Sequence, residues 1–314
     1  MREIKELLPE IIRQTNNNVH IFFFVCITVS FFNFFKNSSL PLSSACRHFT
    51  FFSYLCIVKL LFQIAMKQII ILLSLAVSIM ACGQGKDLKG TYETDSFTTK
   101  SGKTITFHAL AHASIRIQYD GKEILIDPVG KISDRVIDYN AFPKADYIFV
   151  THEHFDHLDA NAIATLTKQG TQLITNRRCA DMLGYGIVMA NGDRLVLDNW
   201  LTVEAVAAYN TTKGRTQFHP KGRDNGFVLT IDGLRIYIAG DTEDIPEMAD
   251  IKDIDIAFLP CNQPYTMTVT QLVRAAKSFN PKVLFPYHYG NTKVSDIPSL
   301  LKDSGIEVRI RHYE

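Results

Sequence analysis

One stretch of six residues, His-Glu-His-Phe-Asp-His from position 152, contains three imidazoles and two carboxylates. Proteins hold zinc and similar divalent ions through such nitrogens and oxygens. Alternate residues of an extended segment point the same way, so His152 and His154 can reach one ion together. After the chain turns, Asp156 and His157 can reach a second ion, whereas Glu153 points away and need not be a ligand. A solvated polar turn is the alternative, but this clustering favours a metal site.

The segment lies between a predicted strand and a predicted helix. Residues 146–150, DYIFV, form a short apolar run that predicts a buried strand. Residues 159–168, DANAIATLTK, predict a helix with Asp159 as its N-cap and Gly170 as its stop. A strand that leads into a helix gives a rigid base for a site.

Strand patterns fill most of the remaining domain. Asp-Gly turns predict hairpins within 117–127, IQYDGKEILID, and within 227–241, FVLTIDGLRIYIAGD, and each segment ends in an acidic residue. Internal duplication and chance similarity both explain this likeness. Further strands are predicted at 104–110, 171–175, 193–206, 255–260 and 282–288, and a helix at 268–279 with Thr268 and Gln271 as its capping box. Two groups of strands with helices between them predict two face-to-face sheets with helices outside.

The stretch THEHFDH resembles the HxHxDH motif of the metallo-β-lactamase superfamily, and later motifs follow in the order of that family. His219 in FHPKGRDNG stands where the third ligand of the first ion is expected. Asp241 in AGDT matches the bridging carboxylate, and His288 in FPYHYGNT matches the last histidine of the second site. The resemblance covers about residues 103–314. It implies an α/β fold, the αββα sandwich of two packed mixed sheets with helices outside.

The resemblance also implies a ligand set and a reaction. The first ion would be held by His152, His154 and His219, the second by Asp156, His157 and His288, with Asp241 between the two. Such a pair of divalent ions holds one hydroxide, lowers its pKa towards neutrality and stabilises the oxyanion formed by its attack. Asp156 would orient this nucleophile and act as the nearest protein general base. Zinc suits these ligands, and manganese or iron fits as well.

Shorter motifs narrow the resemblance and add candidates. HAS, IDP, AYN, GDTE and PYHYG resemble the ascorbate-6-phosphate lactonase-like branch of metal-dependent hydrolases. His112, in HAS, is a catalytic candidate that would hydrogen-bond near the ions or substrate, or else a core histidine. Asp127 would orient a ligating imidazole, or simply end a strand. The loop candidates for the pocket border are Tyr209, Asn210, Arg223, Asn262, Tyr265 and Tyr289.

The sequence differs from the antibiotic-hydrolysing members of the family, so the family name does not by itself predict that activity. The third histidine is followed here by Pro220-Lys221-Gly222, and no cysteine replaces a ligand in the second site. Six cysteines occur without a CxxC pair, which indicates neither a disulfide framework nor a cysteine zinc site. Cys179 and Cys261 are expected to be small core or loop residues, because free cysteine is commonly buried.

The bulk composition excludes one class of partner, and the N-terminal part indicates a location. A formal net charge of +1 over 314 residues gives no electrostatic case for nucleic acid.

Residues 66–82, MKQIIILLSLAVSIMAC, indicate a lipoprotein signal peptide that would leave Cys82 lipidated. Residues 1–65 fit a start site assigned too early or a membrane segment. Residues 83–101 are predicted to be a flexible tether, and 102–314 the hydrolase domain.

The sequence therefore predicts a lipid-anchored enzyme of the cell envelope that faces the periplasm or the exterior. Its metal-bridging hydroxide would cleave an ester-like bond in a small molecule, either a lactone or a phosphodiester. A phospholipase D-like phosphodiesterase is an alternative, in which Arg223 and Lys221 would either bind the phosphate or merely line a surface. A non-catalytic metal-binding lipoprotein is the alternative from another class.

Overall fold

The computed structural model describes residues 92–313, so the predictions for residues 1–91 lie outside the described part of the chain. By its internal contacts the chain divides into two units, 1–81 and 82–314, and the described residues belong to the second. Within them, no helix combines the length and the apolar character needed to cross a membrane.

Two seven-stranded sheets form the body of the domain. The first contains β1 (Thr94–Thr98), β2 (Thr104–Ala111), β3 (Ser114–Tyr119), β4 (Lys122–Ile126), β7 (Tyr147–Val150), β8 (Gln172–Thr175) and β9 (Ile187–Val188), in that order. The strands β5 (Lys131–Ile132) and β6 (Arg135–Val136) form a separate two-stranded ribbon. Neighbours from β1 to β4 are antiparallel, and β4, β7, β8 and β9 run parallel.

The second sheet repeats this arrangement. It contains β10 (Arg194–Asp198), β11 (Leu201–Ala208), β12 (Asp224–Ile231), β13 (Leu234–Ile238), β14 (Ile256–Pro260), β15 (Val283–Tyr287) and β16 (Glu307–Val308), in that order. The first four are antiparallel to their neighbours, and β13 to β16 run parallel. Strands β4 and β13 therefore occupy equivalent fourth positions, as the repeated hairpin pattern suggested.

The two hairpins turn in the same way. Asp120 and Gly121 between β3 and β4 both have positive φ, 49° and 75°. Asp232 and Gly233 between β12 and β13 have 46° and 78°. Positive φ at both central positions is the geometry that favours an Asp-Gly pair in a two-residue hairpin, so both turns were readable from sequence.

The main core lies between the two sheets, and two smaller cores lie outside them. Aromatic rings contact across the central layer, with centroids 5.4 Å apart for Phe149 and Phe227. The helix α1 (Ala160–Leu166) packs Ile163 into an outer cluster with residues of the first sheet. The helix α3 (Val269–Phe279) packs Leu272 into a cluster with the second sheet. These four layers are the αββα sandwich that the sequence predicted.

Helix starts agree with the sequence, while one helix ends earlier than expected. Asp159 caps α1 by accepting hydrogen bonds from two backbone N–H groups, and α1 ends at Leu166. Thr268 and Gln271 form the capping box of α3. The remaining helices are α2 (Arg177–Leu183) and α4 (Ile297–Leu300), with 3-10 turns at Tyr139–Ala141, Pro246–Asp250 and Val294–Asp296.

The predicted tether at 83–101 needs correction over its second part. Strand β1 pairs along its whole length with β2, so the folded domain begins before residue 102. Asp95 in β1 is buried and forms ion pairs with Arg309 and Arg311 near the other end of the chain. These partners are distant in sequence, and the polar residues of β1 therefore looked like a linker.

Candidate metal centre

The histidine-rich turn follows the carboxyl end of β7. The backbone N–H of His157 donates to the carbonyl of His154 over 2.9 Å, which closes the turn. His152 and His157 are fully buried, whereas Phe155 is 79% exposed. The remaining candidate ligands come from the ends of other strands: Asp241 follows β13, His288 follows β15 and His219 precedes β12. Strand ends from both sheets therefore build one centre.

His152, His154 and His219 form one group. One nitrogen of each lies within 4.8 Å of those of the other two. Nε2 of His152 is 3.0 Å from Nδ1 of His154, and the ring centroids of His154 and His219 are 4.8 Å apart. Three convergent imidazoles at this spacing could hold a divalent ion.

Asp156, His157 and His288 form a second group, which His112 joins. The ligand atoms of all four lie within 4.8 Å of one another. Oδ2 of Asp156 is 3.5 Å from Nε2 of His288 and 3.2 Å from Nε2 of His112. The rings of His112 and His288 pack together with centroids 3.7 Å apart. His112 is thus a member of the centre and not a histidine of the general core.

Asp241 lies between the two groups. Its Oδ1 is 3.3 Å from Nε2 of His157, and its Oδ2 is 3.3 Å from Nε2 of both His219 and His288. Only 2% of the residue is exposed. A buried carboxylate that faces imidazoles from both groups has the position expected of a bridging ligand.

The atoms that converge here lack hydrogen-bond partners among the described residues. They are Nε2 of His157, Nε2 of His219, Oδ1 of Asp241, and both ring nitrogens of His288. A buried polar atom without a partner costs about 1–3 kcal/mol. Divalent cations coordinated by these lone pairs would remove that cost, so the residues present fit a metal centre.

Asp127 supports the second group from behind. Its Oδ2 is 2.8 Å from Nδ1 of His157. The same carboxylate accepts hydrogen bonds from the backbone N–H and the hydroxyl of Thr151, each over 2.7 Å. Holding Nδ1 fixes the ring so that Nε2 points at Asp241. Asp127 therefore orients an imidazole, as the sequence suggested.

Asp224 plays the same part for the first group, and sequence reasoning missed it. Its Oδ2 is 3.0 Å from Nδ1 of His219, and its side chain is fully buried. Sequence reasoning also missed Thr151, whose backbone N–H and hydroxyl donate to Asp127. Asp224 stands five positions after the histidine at the start of a strand, where an aspartate is common, so no local pattern marked it.

Burial and neighbouring imidazoles lower the basicity of the first two histidines. Burial, with the charge of His157, holds the pKa of His152 well below its usual value. Burial and the neighbouring His219 lower the pKa of His154. Neutral imidazoles are the form that coordinates metal.

The carboxylates have the opposite effect on two other histidines. Burial would lower the pKa of His157, but Asp241 and Asp127 outweigh it and raise that pKa well above its usual value. Burial likewise opposes Asp224 and Asp241 at His219, whose pKa rises to about 9. Both shifts favour the protonated imidazole when no metal is bound, and a bound divalent ion would displace that proton.

The two carboxylates of the centre stay ionised. Burial would raise the pKa of Asp241, yet the adjacent His288 and His157 hold it well below the usual range. Burial is outweighed at Asp156 by the neighbouring imidazoles of His112 and His288, which lower its pKa. Two buried anions surrounded by imidazoles form a ready site for cations.

Three residues of the centre have backbone conformations that side chains rarely adopt. His112, Asp127 and His288 have φ of 51°, 41° and 46°. The N–H of His288 donates to the carbonyl of His112, and the N–H of His112 donates to the carbonyl of Tyr313. Such strained residues cluster at functional sites, where the surrounding structure holds them in place.

Most of the loop candidates form hydrogen bonds or ion pairs with other groups of the protein. Arg223 donates two hydrogen bonds to Asp224, and Lys221 pairs with Glu247 over 2.6 Å. Arg223 is therefore held by a bidentate contact to a buried carboxylate, whereas the pair of Lys221 lies at the surface, with the lysine side chain 65% exposed. The suggestion that these two cations bind a phosphate stays a prediction. Tyr209 also donates to Glu247, and Asn210 and Tyr289 donate to the carbonyls of Tyr265 and Arg311. Asn262 forms a turn in which its carbonyl accepts from two backbone N–H groups.

Comparison with known proteins agrees with this geometry. Residues 104–288 match the family described as the Beta-lactamase superfamily domain. A UPF0173 metal-dependent hydrolase of Ligilactobacillus salivarius is 35% identical over 199 residues, which are 59% of this chain and 84% of that protein.

Solved structures show the same fold. The crystal structure of a proposed metal-dependent hydrolase of Parabacteroides distasonis is 55% identical, with a TM-score of 0.69, and covers 71% of this chain and 100% of its own. A metallo hydrolase of Ignicoccus hospitalis has a TM-score of 0.56 at 24% identity, covering 70% of this chain and 96% of its own. At that identity the second likeness concerns the fold alone.

Proposed function

The chain belongs to the metallo-β-lactamase superfamily of metal-dependent hydrolases, and from this premise we propose that it uses two divalent ions to cleave an ester-like bond. The observation that carries the proposal is the convergence of unpartnered imidazole and carboxylate atoms from both sheets on Asp241. A purely structural polar core would satisfy these atoms internally.

Each ion has its own residues in this proposal. His152, His154 and His219 would hold the first ion, Asp156, His157 and His288 would hold the second, and Asp241 would be shared. Bound divalent ions supply a water of lowered pKa and a Lewis acid for the developing oxyanion. Zinc suits the imidazole-rich first group, and the carboxylates of the second group accept manganese or iron as well.

Two further side chains handle protons. Oδ2 of Asp156 accepts the proton of the attacking water and keeps that water oriented towards the substrate. Nε2 of His112 lies 3.2 Å from this oxygen and would donate to it, which holds the carboxylate in place while Asp156 passes the proton to the leaving group. Geometry within hydrogen-bond reach is the first requirement for such a transfer.

The substrate class we favour is an uncharged ester or lactone, in line with the lactonase-like motifs. Arg223 and Lys221, the cations suggested for a phosphate, are paired with Asp224 and Glu247. A phospholipase D-like phosphodiesterase is the second candidate, because two-ion sites also clamp the oxygens of phosphoryl groups.

The test uses residues 84–314, which contain every described residue. The protein is stripped with chelator and reloaded, bound metal is measured, and turnover is compared for lactones, carboxylic esters and phosphodiesters. We expect two ions per chain and turnover of at least one ester class that is lost in Asp241→Asn. Asp120→Asn, an exposed aspartate in a hairpin turn, is the matched control. Full metal loading without hydrolysis of any of these esters contradicts the proposal.

A non-catalytic metal-binding lipoprotein is the competing function from another class. Asp156→Asn separates the two functions. A hydrolase loses turnover disproportionately, whereas a storage protein loses only bound metal. The aspartate placed between two groups of imidazole and carboxylate ligands favours the enzyme, since a pair of neighbouring ions that could share a ligand is an arrangement that hydrolytic two-metal sites use.

We also propose a cell-envelope location with lipid on Cys82, facing the periplasm or the exterior. The support is the signal-like order of residues 66–82. Mass spectrometry of the N-terminus of the native protein tests this proposal. A lipidated cysteine is expected, and an unmodified N-terminus upstream of residue 66 contradicts it.

A further inference from the structure

Glu153 lies between His152 and His154 in the chain, but its side chain points away from both groups of candidate ligands. Its Oε1 is 3.0 Å from Nε of Arg178 and 3.4 Å from Nη1 of Arg223. Only 6% of the side chain is exposed. One oxygen of this carboxylate inside the metal motif is therefore paired with two arginines, while Oε2 has no hydrogen-bond partner among the described residues.

Arg223 continues from this carboxylate to a second one. Its Nε and Nη2 donate to Oδ1 and Oδ2 of Asp224 over 2.7 and 2.8 Å. Nη2 also donates to the carbonyl of Phe218 over 2.7 Å. The planar fork thus holds both oxygens of Asp224 and the backbone beside His219 in a single arrangement.

Asp224 transmits this arrangement to the centre. Its Oδ2 is 3.0 Å from Nδ1 of His219, and Nε2 of the same ring is 3.3 Å from Asp241. The side chains alternate in charge from Glu153 through Arg223 and Asp224 to the imidazole. This row of side chains begins at Glu153, which stands between two candidate ligands of the first ion in the chain, and it ends at His219, the third candidate ligand.

We propose that Glu153 and Arg223 are positioning residues, which orient Asp224 and through it fix His219 as a ligand of the first ion. The inference rests on the proposed two-ion function. It gives the glutamate of the motif a role apart from coordination, and it joins the turn after β7 to the loop before β12. It also explains why Arg223 is not available to a substrate.

The physical reason is the position of the Asp224 carboxylate. A fully buried anion is costly unless it is paired and hydrogen-bonded. A bidentate arginine satisfies both oxygens and fixes the plane of the carboxylate, whereas a lysine would provide one movable point charge. Since carboxylates that hold a ligating histidine set its orientation and basicity, their loss weakens metal binding by about 10- to 100-fold.

The experiment measures metal affinity as well as turnover, using residues 84–314. Zinc is titrated against a competing chelator for the wild type and for Arg223→Gln, Arg223→Lys and Glu153→Gln. The matched control is Arg116→Gln, because Arg116 also makes a buried bidentate pair with a carboxylate, that of Glu123, over 2.7 Å at both contacts. That pair has no part in the histidine groups.

We expect Arg223→Gln to weaken the binding of one of the two ions by about 10-fold or more, while the other ion is bound nearly as in the wild type. Arg223→Lys should restore part of this loss. Glu153→Gln, which preserves shape and folding most closely, should weaken the same ion by a smaller factor. Arg116→Gln should lower stability without changing either affinity.

Two failures are distinguishable. If the wild type binds neither zinc nor, in the same titration, manganese or iron, the proposed function fails. If the wild type binds two ions and Arg223→Gln and Glu153→Gln match Arg116→Gln in affinity, the positioning role is overturned and the proposed function stands. Should Arg223→Gln not fold, Glu153→Gln decides the question alone.

Discussion

Oδ2 of Asp127 lies 2.8 Å from Nδ1 of His157. On the other side of the same ring, Oδ1 of Asp241 lies 3.3 Å from Nε2. Asp127 follows β4 and Asp241 follows β13, the fourth strands of their respective sheets. The two halves of the sandwich therefore each contribute a carboxylate to one imidazole, and His157 lies where the halves meet.

Asp127→Asn should weaken binding of the second ion by about 10- to 100-fold, because the amide cannot replace the charged acceptor at Nδ1. Chelator competition with zinc measures the change. Asp120→Asn removes a carboxylate that pairs with Lys103 at the surface and serves as the control. Equal affinities for Asp127→Asn and the wild type would show that the contact does not orient a ligand.

The pH dependence of the metal-free protein should report on His219. Its folded-state pKa of about 9 exceeds the ordinary 6.5, because the Asp224 and Asp241 carboxylates outweigh the effect of burial. The stabilisation is therefore complete below about 6.5 and is lost as the pH rises through about 9. Thermal melting of chelator-treated protein between about pH 6 and 10 should show a falling Tm.

Two comparisons isolate that effect. Metal-loaded protein should lack this decline, because a metal ligand is already deprotonated. His219→Gln in the metal-free form should show a shallower decline than the wild type. A metal-free wild type whose Tm rises over this range, or follows that of His219→Gln, would argue against the assignment.

The two cysteines of the described residues should not act as nucleophiles. Burial raises the pKa of both Cys179 and Cys261 to about 12, so almost no thiolate forms at neutral pH. In residues 84–314, Ellman titration at about pH 8 should detect no fast thiol in native protein and both thiols after denaturation. Rapid native labelling, or loss of turnover on alkylation, would contradict this expectation.

Strand β1 should contribute to stability through Asp95. Asp95→Asn should lower the free energy of unfolding by about 2 kcal/mol, since it weakens charge-assisted hydrogen bonds to Arg309 and Arg311. Urea unfolding of metal-free protein measures the loss. Glu307→Gln removes a more exposed partner of Arg309 and should change stability by less than about 1 kcal/mol. Equal effects of the two substitutions would mean that β1 adds little.

The sequence predicted the features that depend on local residue spacing or on the order of motifs along the chain. The histidine turn after β7, both Asp-Gly hairpins and the capping box at Thr268 follow from spacing within a few residues. Asp241 and His288 were found because their motifs follow in the family order. The turn, the hairpins and the capping box depend on a residue type and the backbone next to it, so a single short stretch of sequence specifies each of them.

The remainder depended on partners far away in the chain. Asp224 looks like an ordinary residue at a strand start until Arg223 and His219 are seen around it. Arg223 looked like a free cation for a substrate because nothing local showed that Glu153, seventy positions earlier, would face it. Buried charge networks depend on residues that are distant in the chain and meet only in the folded structure. Hydrophobic periodicity therefore does not predict them.

The most direct test of a two-ion centre is a crystal structure of the metal-loaded protein with anomalous diffraction recorded at the metal edge. Two peaks are expected, about 3.5–4 Å apart. One should lie about 2.0–2.2 Å from nitrogens of His152, His154 and His219. The other should lie equally close to Asp156, His157 and His288, with Asp241 bonded to both. A saturated crystal with no peak among these side chains, or a single one away from Asp241, would contradict the proposal.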